Sequence, residues 1–168
     1  VEKCVIFGTD IIDDSVLSLL PSRTLNMHLG LSPRYRGSAT LFWPFYFLEP
    51  QFCGVTFHKP IKEPDAGAVL HQFRTPLIWG DGIHDVGTRS VEEGTRILRD
   101  LLWMESEKWK FTRQGSSGRN FLSRDFKPHH LRVIYDLFED RIVDEYLQGN
   151  LPSSLPQLLI HPDLLPLS

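Results

Sequence analysis

Three polar side chains in this sequence are of the types that carry out acyl-group chemistry. Asn26 and His28 alternate with apolar residues in "TLNMHL", so an extended strand would place both on one face. Asp65 lies in "PIKEPDAG", where prolines and a glycine favour a loop. An Asn amide can donate to a developing oxyanion, a His can move protons near neutral pH, and an Asp can fix a His tautomer or order a water molecule.

These residue types suit acyl transfer without a covalent enzyme intermediate. The sequence has no Ser or Cys in a nucleophile setting such as Gly-x-Ser-x-Gly, so the attacking group would come from the substrate. Spacing alone leaves a structural alternative open. An Asn-x-His pair on a strand can be half-buried and purely structural, and an Asp before Ala-Gly is typical of a turn.

Composition places the chain among ordinary globular proteins. Its 168 residues suit about one domain, with 41% hydrophobic and 23% charged residues. A net charge of −3 gives no basic field for nucleic acid, and no apolar run approaches the length of a membrane span. Cys4 and Cys53 lie in apolar runs and favour free thiols in a reducing compartment, hence a cytoplasmic protein. No spacing of the CxxC or HExxH kind predicts a metal site.

The elements that would position these residues predict an α/β fold. Strands are predicted at residues 4–7, 24–29, 52–59 and 68–73, and helices at 13–20, 38–48, 90–103 and 126–149. The first helix would be capped by Asp13 or Asp14 and would turn Val16, Leu17, Leu19 and Leu20 inward. Ser90 and Glu93 have the spacing of a capping box, which predicts a helix start at Ser90.

Composition shifts after Trp109, which predicts a division of the chain there. Residues 1–109 would form the core, and residues 110–168 a small C-terminal extension with a hairpin and helices. Gly149 is a plausible end of the last helix. The Pro/Leu-rich tail that follows is expected to have little regular structure and to pack on another surface.

Two sequence blocks resemble those of the folate-dependent formyltransferases, which use 10-formyltetrahydrofolate. "NMHLGLSPRYRGS" is similar to the family's Asn-x-His-x-x-x-x-Pro-x-x-x-Gly signature, and "GVTFHKPIKEPDAGAVLHQ" to its Asp-x-Gly block between two strands. The resemblance covers residues 1 to about 103. It implies the C-terminal portion of a Rossmann-like formyltransferase domain, with a mixed or parallel sheet and flanking helices. Val1 would fall in the fourth strand of such a sheet, so we expect the N-terminal part of the family domain to be missing.

The resemblance implies roles for particular residues. Asn26 would bind the formyl oxygen, His28 would stabilise it or move protons, and Asp65 would orient the His and a water that relays the amine proton. Two loops would pair with the pterin of the folate through their backbone. By position they supply Thr9, Asp10, Ile11, Ile12, Ile61, Lys62, Glu63 and Pro64.

The resemblance also indicates the acceptor. The segment "GRNFLSRDFKPHHLRVIYDLFEDRIVDEYLQG" is most similar to sugar N-formyltransferases, so a nucleotide-linked amino sugar is expected. Arg34 and Arg36 could meet a phosphate or the folate tail, and Trp43 could stack on a nucleotide base. The alternatives for Arg36 and Trp43 are a structural ion pair and a place in the core.

Other acceptors and roles remain open at this point. They are a hydroxylated amino acid, glycinamide ribonucleotide, methionyl-tRNA, or an inactive remnant that binds folate or a partner. Association into a homo-oligomer through an exposed sheet edge or the C-terminal tail is expected.

Overall fold

The computed structural model describes residues 2–115 and 117–164. Strands are β1 (Cys4–Ile6), β2 (Thr24–His28), β3 (Tyr35–Gly37), β4 (Gly54–His58), β5 (Val69–Arg74) and β6 (Arg119–Phe121). Helices are α1 (Asp14–Leu17), α2 (Trp43–Tyr46), α3 (Ile83–Trp103) and α4 (Ile142–Leu147). Short 3-10 turns lie at Pro50–Phe52, Ser106–Lys108, Ser123–Asp125 and Pro128–His130, and a π-helical turn at Val133–Leu137.

The main sheet is mixed, which confirms the predicted α/β class. Its four strands run in the order β1-β2-β4-β5, with β1 parallel to β2 and the other pairs antiparallel. The antiparallel register places Asn26 of β2 opposite His58 of β4. A second sheet pairs β3 with β6 in parallel, so it joins the turn after β2 to a segment more than eighty residues later in the chain.

Two apolar clusters hold these sheets. The first lies between the main sheet and α3 and contains Leu25, Met27, Val55, Phe57, Ile97 and Leu101. The second is aromatic and joins α2, the small sheet and α4, with Tyr35, Trp43, Phe45, Phe121, Ile134 and Ile142. The core face predicted for β2 is confirmed, since Leu25 is fully buried and Met27 is 4% exposed.

The predicted start of α3 is wrong. The helix begins at Ile83, after an N-cap at Gly82 whose N–H donates to Asp85 Oδ2 at 2.9 Å. Ser90 lies inside the helix and is fully buried, with its hydroxyl bonded to the Val86 carbonyl and to Thr75 Oγ1. Because the Ser90 hydroxyl is already hydrogen-bonded inside the helix, it does not cap a helix N-terminus. The spacing between Ser90 and Glu93 therefore does not mark a capping box.

Two further helix predictions are corrected. Asp13 caps α1 as predicted, but Val16 is 48% and Leu19 83% exposed, because none of the described residues buries that face. The helix predicted over residues 126–149 is broken into a 3-10 turn, a π-helical turn and α4, with positive φ at Glu139 and Asp140 between them. Gly149 follows the end of α4 with φ +84°, as expected for a C-terminal glycine.

The tail after α4 packs along β5, and we call residues 151–164 the strap. Gln51 Nε2 donates to the carbonyls of Pro152 and Ser154. Farther along, Gln72 and Leu159 exchange hydrogen bonds of 2.8 and 3.0 Å. The strap therefore covers the β5 edge of the sheet, which agrees with the expected packing, while β1 forms the opposite edge.

Within the described part of the chain, no helix is long and apolar enough to cross a membrane.

The predicted division at residue 109 stays a prediction, and several contacts cross it. Thr112 bridges to Val69 of β5, and Gln114 Nε2 donates to the carbonyls of Asp65 and Gly67. The extension thus packs directly on the loop that carries Asp65.

The thiols of Cys4 and Cys53 are free, and Cys53 is fully buried.

Candidate active site

Four polar side chains meet at the edge where β2, β4 and the loop after β4 converge. Asn26 Nδ2 lies 3.0 Å from His58 Nε2 and 3.2 Å from Asp65 Oδ1. His28 Nδ1 lies 3.2 Å from Asp65 Oδ2, and His58 Nε2 lies 3.3 Å from Asp65 Oδ1. The structure therefore brings together the three residues singled out in the sequence and adds a fourth. We call Asn26, His28, His58 and Asp65 the polar cluster.

The loop that carries Asp65 is fixed by its backbone. Asp65 has φ +52°, and a Cβ at Gly67 would overlap with the carbonyl oxygen of Lys59. Only glycine allows this close approach of the two backbone segments. The Gln114 amide holds the Asp65 and Gly67 carbonyls at 2.8 and 2.6 Å. The Asp65 carboxylate is therefore held in one place before any ligand binds.

His28 can take up a proton at the carboxylate. Its Nε2 lies 2.8 Å from the Tyr35 carbonyl, which only accepts, so Nε2 carries the proton of the neutral ring. Nδ1 then faces Asp65 Oδ2, which also accepts the N–H of Gly37 at 2.8 Å. Protonation of Nδ1 would convert this contact into an ion pair. The His28–Asp65 pair is thus a place where one proton can be stored or released.

Burial and charge oppose each other in this pair. Burial lowers the pKa of His28, while the charge of Asp65 and the hydrogen bond to the Tyr35 carbonyl work in the opposite direction. For Asp65, burial alone would raise the pKa, but the contacts of the carboxylate with His58 and His28 and the hydrogen bond from the Gly37 N–H together lower it. The carboxylate is therefore ionised at neutral pH and the imidazole beside it is predominantly neutral.

His58 completes the cluster and was not singled out in the sequence. Its Nδ1 lies 2.8 Å from the carbonyl of Lys59, so this nitrogen donates and Nε2 accepts from the Asn26 amide. The available signal was its position at the end of "GVTFH", just before the loop of Asp65. Its place beside Asn26 follows from the antiparallel register of β2 and β4, which local spacing does not give.

A cavity of about 620 Å³ opens at the polar cluster. Seven of the eight residues predicted to bind a cofactor line it: Thr9, Asp10, Ile11, Ile12, Ile61, Lys62 and Pro64. Glu63 is exposed and is not part of the lining. Lys62 Nζ and Asp14 Oδ2 lie 2.8 Å apart and link this loop to α1.

None of the three predicted acceptor contacts, Arg34, Arg36 and Trp43, lines the cavity. Trp43 is 3% exposed, stacks on Phe121 and donates its indole N–H to the Ser38 carbonyl, so it belongs to the core and not to a base-stacking site. Arg34 forms a bidentate ion pair with Glu49 at 2.6 and 3.0 Å and lies over the ring of Phe52. Glu49 is a local partner for this guanidinium, and binding of a phosphate or the folate tail by Arg34 stays a prediction.

Arg36 also lies outside the cavity lining. It lies opposite Asn120 in the register of the small sheet. Its Nε is buried without a hydrogen-bond partner among residues 2–115 and 117–164. Binding of a phosphate or carboxylate by Arg36 stays a prediction.

The cavity has a wall from the C-terminal extension that the sequence did not assign. It comprises Asn120, Phe121, Leu122 and Ser123. Parallel pairing of β6 with β3 brings this wall to the polar cluster.

No group of three or more His, Cys, Asp or Glu side chains among the described residues is arranged to hold a metal ion.

Solved structures share this fold. The formyltransferase PseJ from Anoxybacillus kamchatkensis, in complex with UDP-4,6-dideoxy-4-formamido-L-AltNAc and tetrahydrofolate, matches 84% of this chain and 75% of its own length, with a TM-score of 0.71 and 19% identity. A sugar N-formyltransferase from a Shewanella species matches 74% of this chain and 50% of its own, with a TM-score of 0.63 and 24% identity.

A third similar structure is an N-formyltransferase from Helicobacter canadensis in complex with folinic acid and dTDP-3-aminofucose. It matches 72% of this chain and 46% of its own length, with a TM-score of 0.62 and 20% identity. The chain thus spans about half of the Shewanella and Helicobacter proteins. The family model described as formyl transferase matches residues 3–102, which contain the whole polar cluster. The chain therefore belongs to the formyltransferase family.

Proposed function

We propose that this protein transfers a formyl group from 10-formyltetrahydrofolate to the amine of a nucleotide-linked amino sugar. The observation that carries the proposal is the polar cluster, which places an amide, an imidazole and an ionised carboxylate at one end of a cavity. Family membership supports the formyl transfer. The similar proteins whose structures contain folates and nucleotide sugars support the choice of donor and acceptor.

The cavity suits a folate co-substrate. Loops 9–12 and 61–64 flank its mouth and offer backbone groups next to apolar side chains such as Ile11 and Ile61. A flat heterocycle with hydrogen-bonding edges fits such a surface, because apolar contacts hold its faces and backbone groups meet its edges. These loops would therefore hold the pterin, and the bound folate would supply the formyl carbon as the electrophile.

Each member of the cluster then has a task during amine attack. Asn26 donates to the formyl oxygen as negative charge develops, with the formyl oxygen replacing one partner of its amide. Asp65 accepts the proton that leaves the amine, directly or through a water, and His28 Nδ1 shares it. His58 holds the Asn26 amide in place through Nε2. The proton finally reaches the folate nitrogen that departs.

An amino sugar is the preferred acceptor among small amines because the chain's fold is shared with several sugar N-formyltransferases. The acidic segment "FEDRIVDEYLQ" after the core disfavours a polyanionic partner such as tRNA. The protein is expected to act in the cytoplasm, where folates and nucleotide sugars are available.

The test is release of tetrahydrofolate from 10-formyltetrahydrofolate in the presence of UDP- and dTDP-linked amino sugars. We expect Asn26→Ala to lower kcat by about 10²–10³, the usual loss for one oxyanion donor. Asn150→Ala is the matched control, because Asn150 is an exposed asparagine that contacts only Glu145 among described side chains. Equal rates for the wild type and Asn26→Ala would refute the catalytic assignment. Folate binding without turnover of any amine would instead favour the inactive folate-binding protein.

A further inference from the structure

One wall of the cavity comprises Asn120, Phe121, Leu122 and Ser123, and so does not belong to β2 or to loops 9–12 and 61–64. One of its residues is Asn120, whose side chain lies against Gly37. A Cβ at Gly37 would overlap with Asn120 Oδ1, so the amide oxygen lies directly against the α-carbon of Gly37. The N–H of Gly37 in turn donates to Asp65 Oδ2 at 2.8 Å. Gly37 therefore contacts both the Asn120 amide oxygen and the Asp65 carboxylate.

The backbone of Asn120 is held rigidly. The next residue, Phe121, is 2% exposed and stacks on Trp43 at 4.7 Å and on Tyr35 at 5.7 Å. The N–H of Ser38 donates to the carbonyl of Phe121 at 2.7 Å. Because these contacts anchor β6 in the aromatic core, Asn120 has a fixed position at the wall of the cavity.

The side chain of Asn120 is nevertheless free to meet a ligand. It is exposed and lines the cavity. Within residues 2–115 and 117–164 its amide has no hydrogen-bond partner, whereas Ser38 and Ser123 beside it satisfy each other through their hydroxyls at 2.9 Å. An amide on a fixed backbone that lines the cavity is suited to orienting a bound group.

We propose that Asn120 binds the attacking amine of the acceptor, an inference that rests on the proposed function. Its Oδ1 accepts an N–H of the amine and thereby turns the nitrogen lone pair toward the formyl carbon. A neutral amide suits this task, since only the unprotonated amine attacks. A carboxylate at the same place would stabilise the ammonium form and raise the pKa of the acceptor.

The bonds in this step balance without a further reactant. The amine lone pair forms the new nitrogen–carbon bond, and the formyl carbon's bond to the folate nitrogen breaks. The folate nitrogen keeps that electron pair and gains the proton that the amine loses through Asp65. Asn120 forms and breaks hydrogen bonds only.

The test compares the wild type with Asn120→Ala, Asn120→Asp and the control Arg124→Ala. Arg124 is exposed four residues along the same segment and does not line the cavity. We expect Asn120→Ala to lower kcat/KM for the acceptor about tenfold, as for loss of one hydrogen bond, with KM for the folate unchanged. In Asn120→Asp the pH at which activity rises should shift upward by about one unit, because a new carboxylate favours the ammonium form.

The outcomes separate this inference from the proposed function. A wild type that releases tetrahydrofolate with none of the UDP- and dTDP-linked amino sugars refutes both. An active wild type whose Asn120→Ala variant stays within about twofold of it refutes only the role of Asn120. An Asn120→Asp variant that loses activity without a shift of its pH profile would indicate a structural role and would also refute it. Thermal unfolding of each variant shows that the compared proteins are folded.

Discussion

Protonation of His71 should release the strap and destabilise the protein in mild acid. His71 lies on β5 and is 3% exposed, and its Nδ1 accepts the backbone N–H of His161 in the strap at 3.1 Å. Burial, together with the nearby His161, lowers the pKa of His71 from 6.5 to about 4. A proton on Nδ1 would remove the acceptor for the strap and place a charge in the interior.

The magnitude follows from the difference between the folded and unfolded pKa. Because the folded pKa is the lower one, the unfolded chain binds the proton more readily and stability rises with pH between the two values. The contribution is complete above about pH 6.5 and is lost as the pH falls toward about 4. A shift from 6.5 to about 4, at about 1.36 kcal/mol per unit, gives about 3 kcal/mol. That is a large part of the roughly 5–15 kcal/mol typical of a folded domain.

Urea unfolding between pH 7 and about pH 4.5 measures this loss. Asn at position 71 keeps an acceptor near the place of Nδ1 and does not titrate, so His71→Asn should flatten the pH dependence of the unfolding free energy. His28 has a lowered pKa as well and should leave a residual slope. The exposed His129 provides the control, because His129→Asn should leave the slope unchanged. A His71 ring that titrates near pH 6.5 in an NMR experiment on the wild type would refute the reasoning, even if the variant failed to fold.

Three further outcomes are expected. In Asp65→Asn, the pKa of His28 measured by NMR should fall further, because the charge of Asp65 raises it in the wild type. The kcat of this variant should drop by about 10²–10⁴. An unchanged His28 titration would contradict the pairing of the two residues. Gly67→Ala should destabilise the protein by about 1–3 kcal/mol in urea unfolding, because the new Cβ would overlap with the Lys59 carbonyl. Gly87→Ala is the control inside α3. Its Cβ meets open space, so this change should stabilise the protein by about 0.5–1 kcal/mol. Sedimentation should show association through the β1 edge, whose Val5 and neighbouring Phe7 are 37% and 48% exposed; a monodisperse monomer would contradict this.

Local pattern predicted strand β2 well. Alternation with period two placed Asn26 and His28 on one face of β2, and the same rule placed Leu25 and Met27 in the core. The loop of Asp65 was predicted because Pro64 and Gly67 exclude regular structure. These features depend on residues close together in the chain, so their chemistry is visible in the sequence.

Local pattern failed where residues distant in the chain determine the burial and the partners of a side chain. Arg34 and Trp43 were reasonable ligand contacts by type, but Glu49 and Phe121 occupy them in the folded protein. Ser90 had the spacing of a cap, yet α3 begins well before it, at Ile83. Burial and partners depend on tertiary packing, which residue type does not specify.

The sequence by itself determined that Asn26 and His28 share one face of β2 and that Asp65 lies in a loop, because strand alternation and turn-forming residues act over a few positions. Tertiary structure alone decided which groups surround them. Antiparallel pairing of β2 with β4 brought His58 to Asn26, and parallel pairing of β3 with β6 brought Asn120 to the cavity. The physical reason is that strand register is set by the packing of whole sheets, so contacts between residues far apart in the chain leave no local pattern.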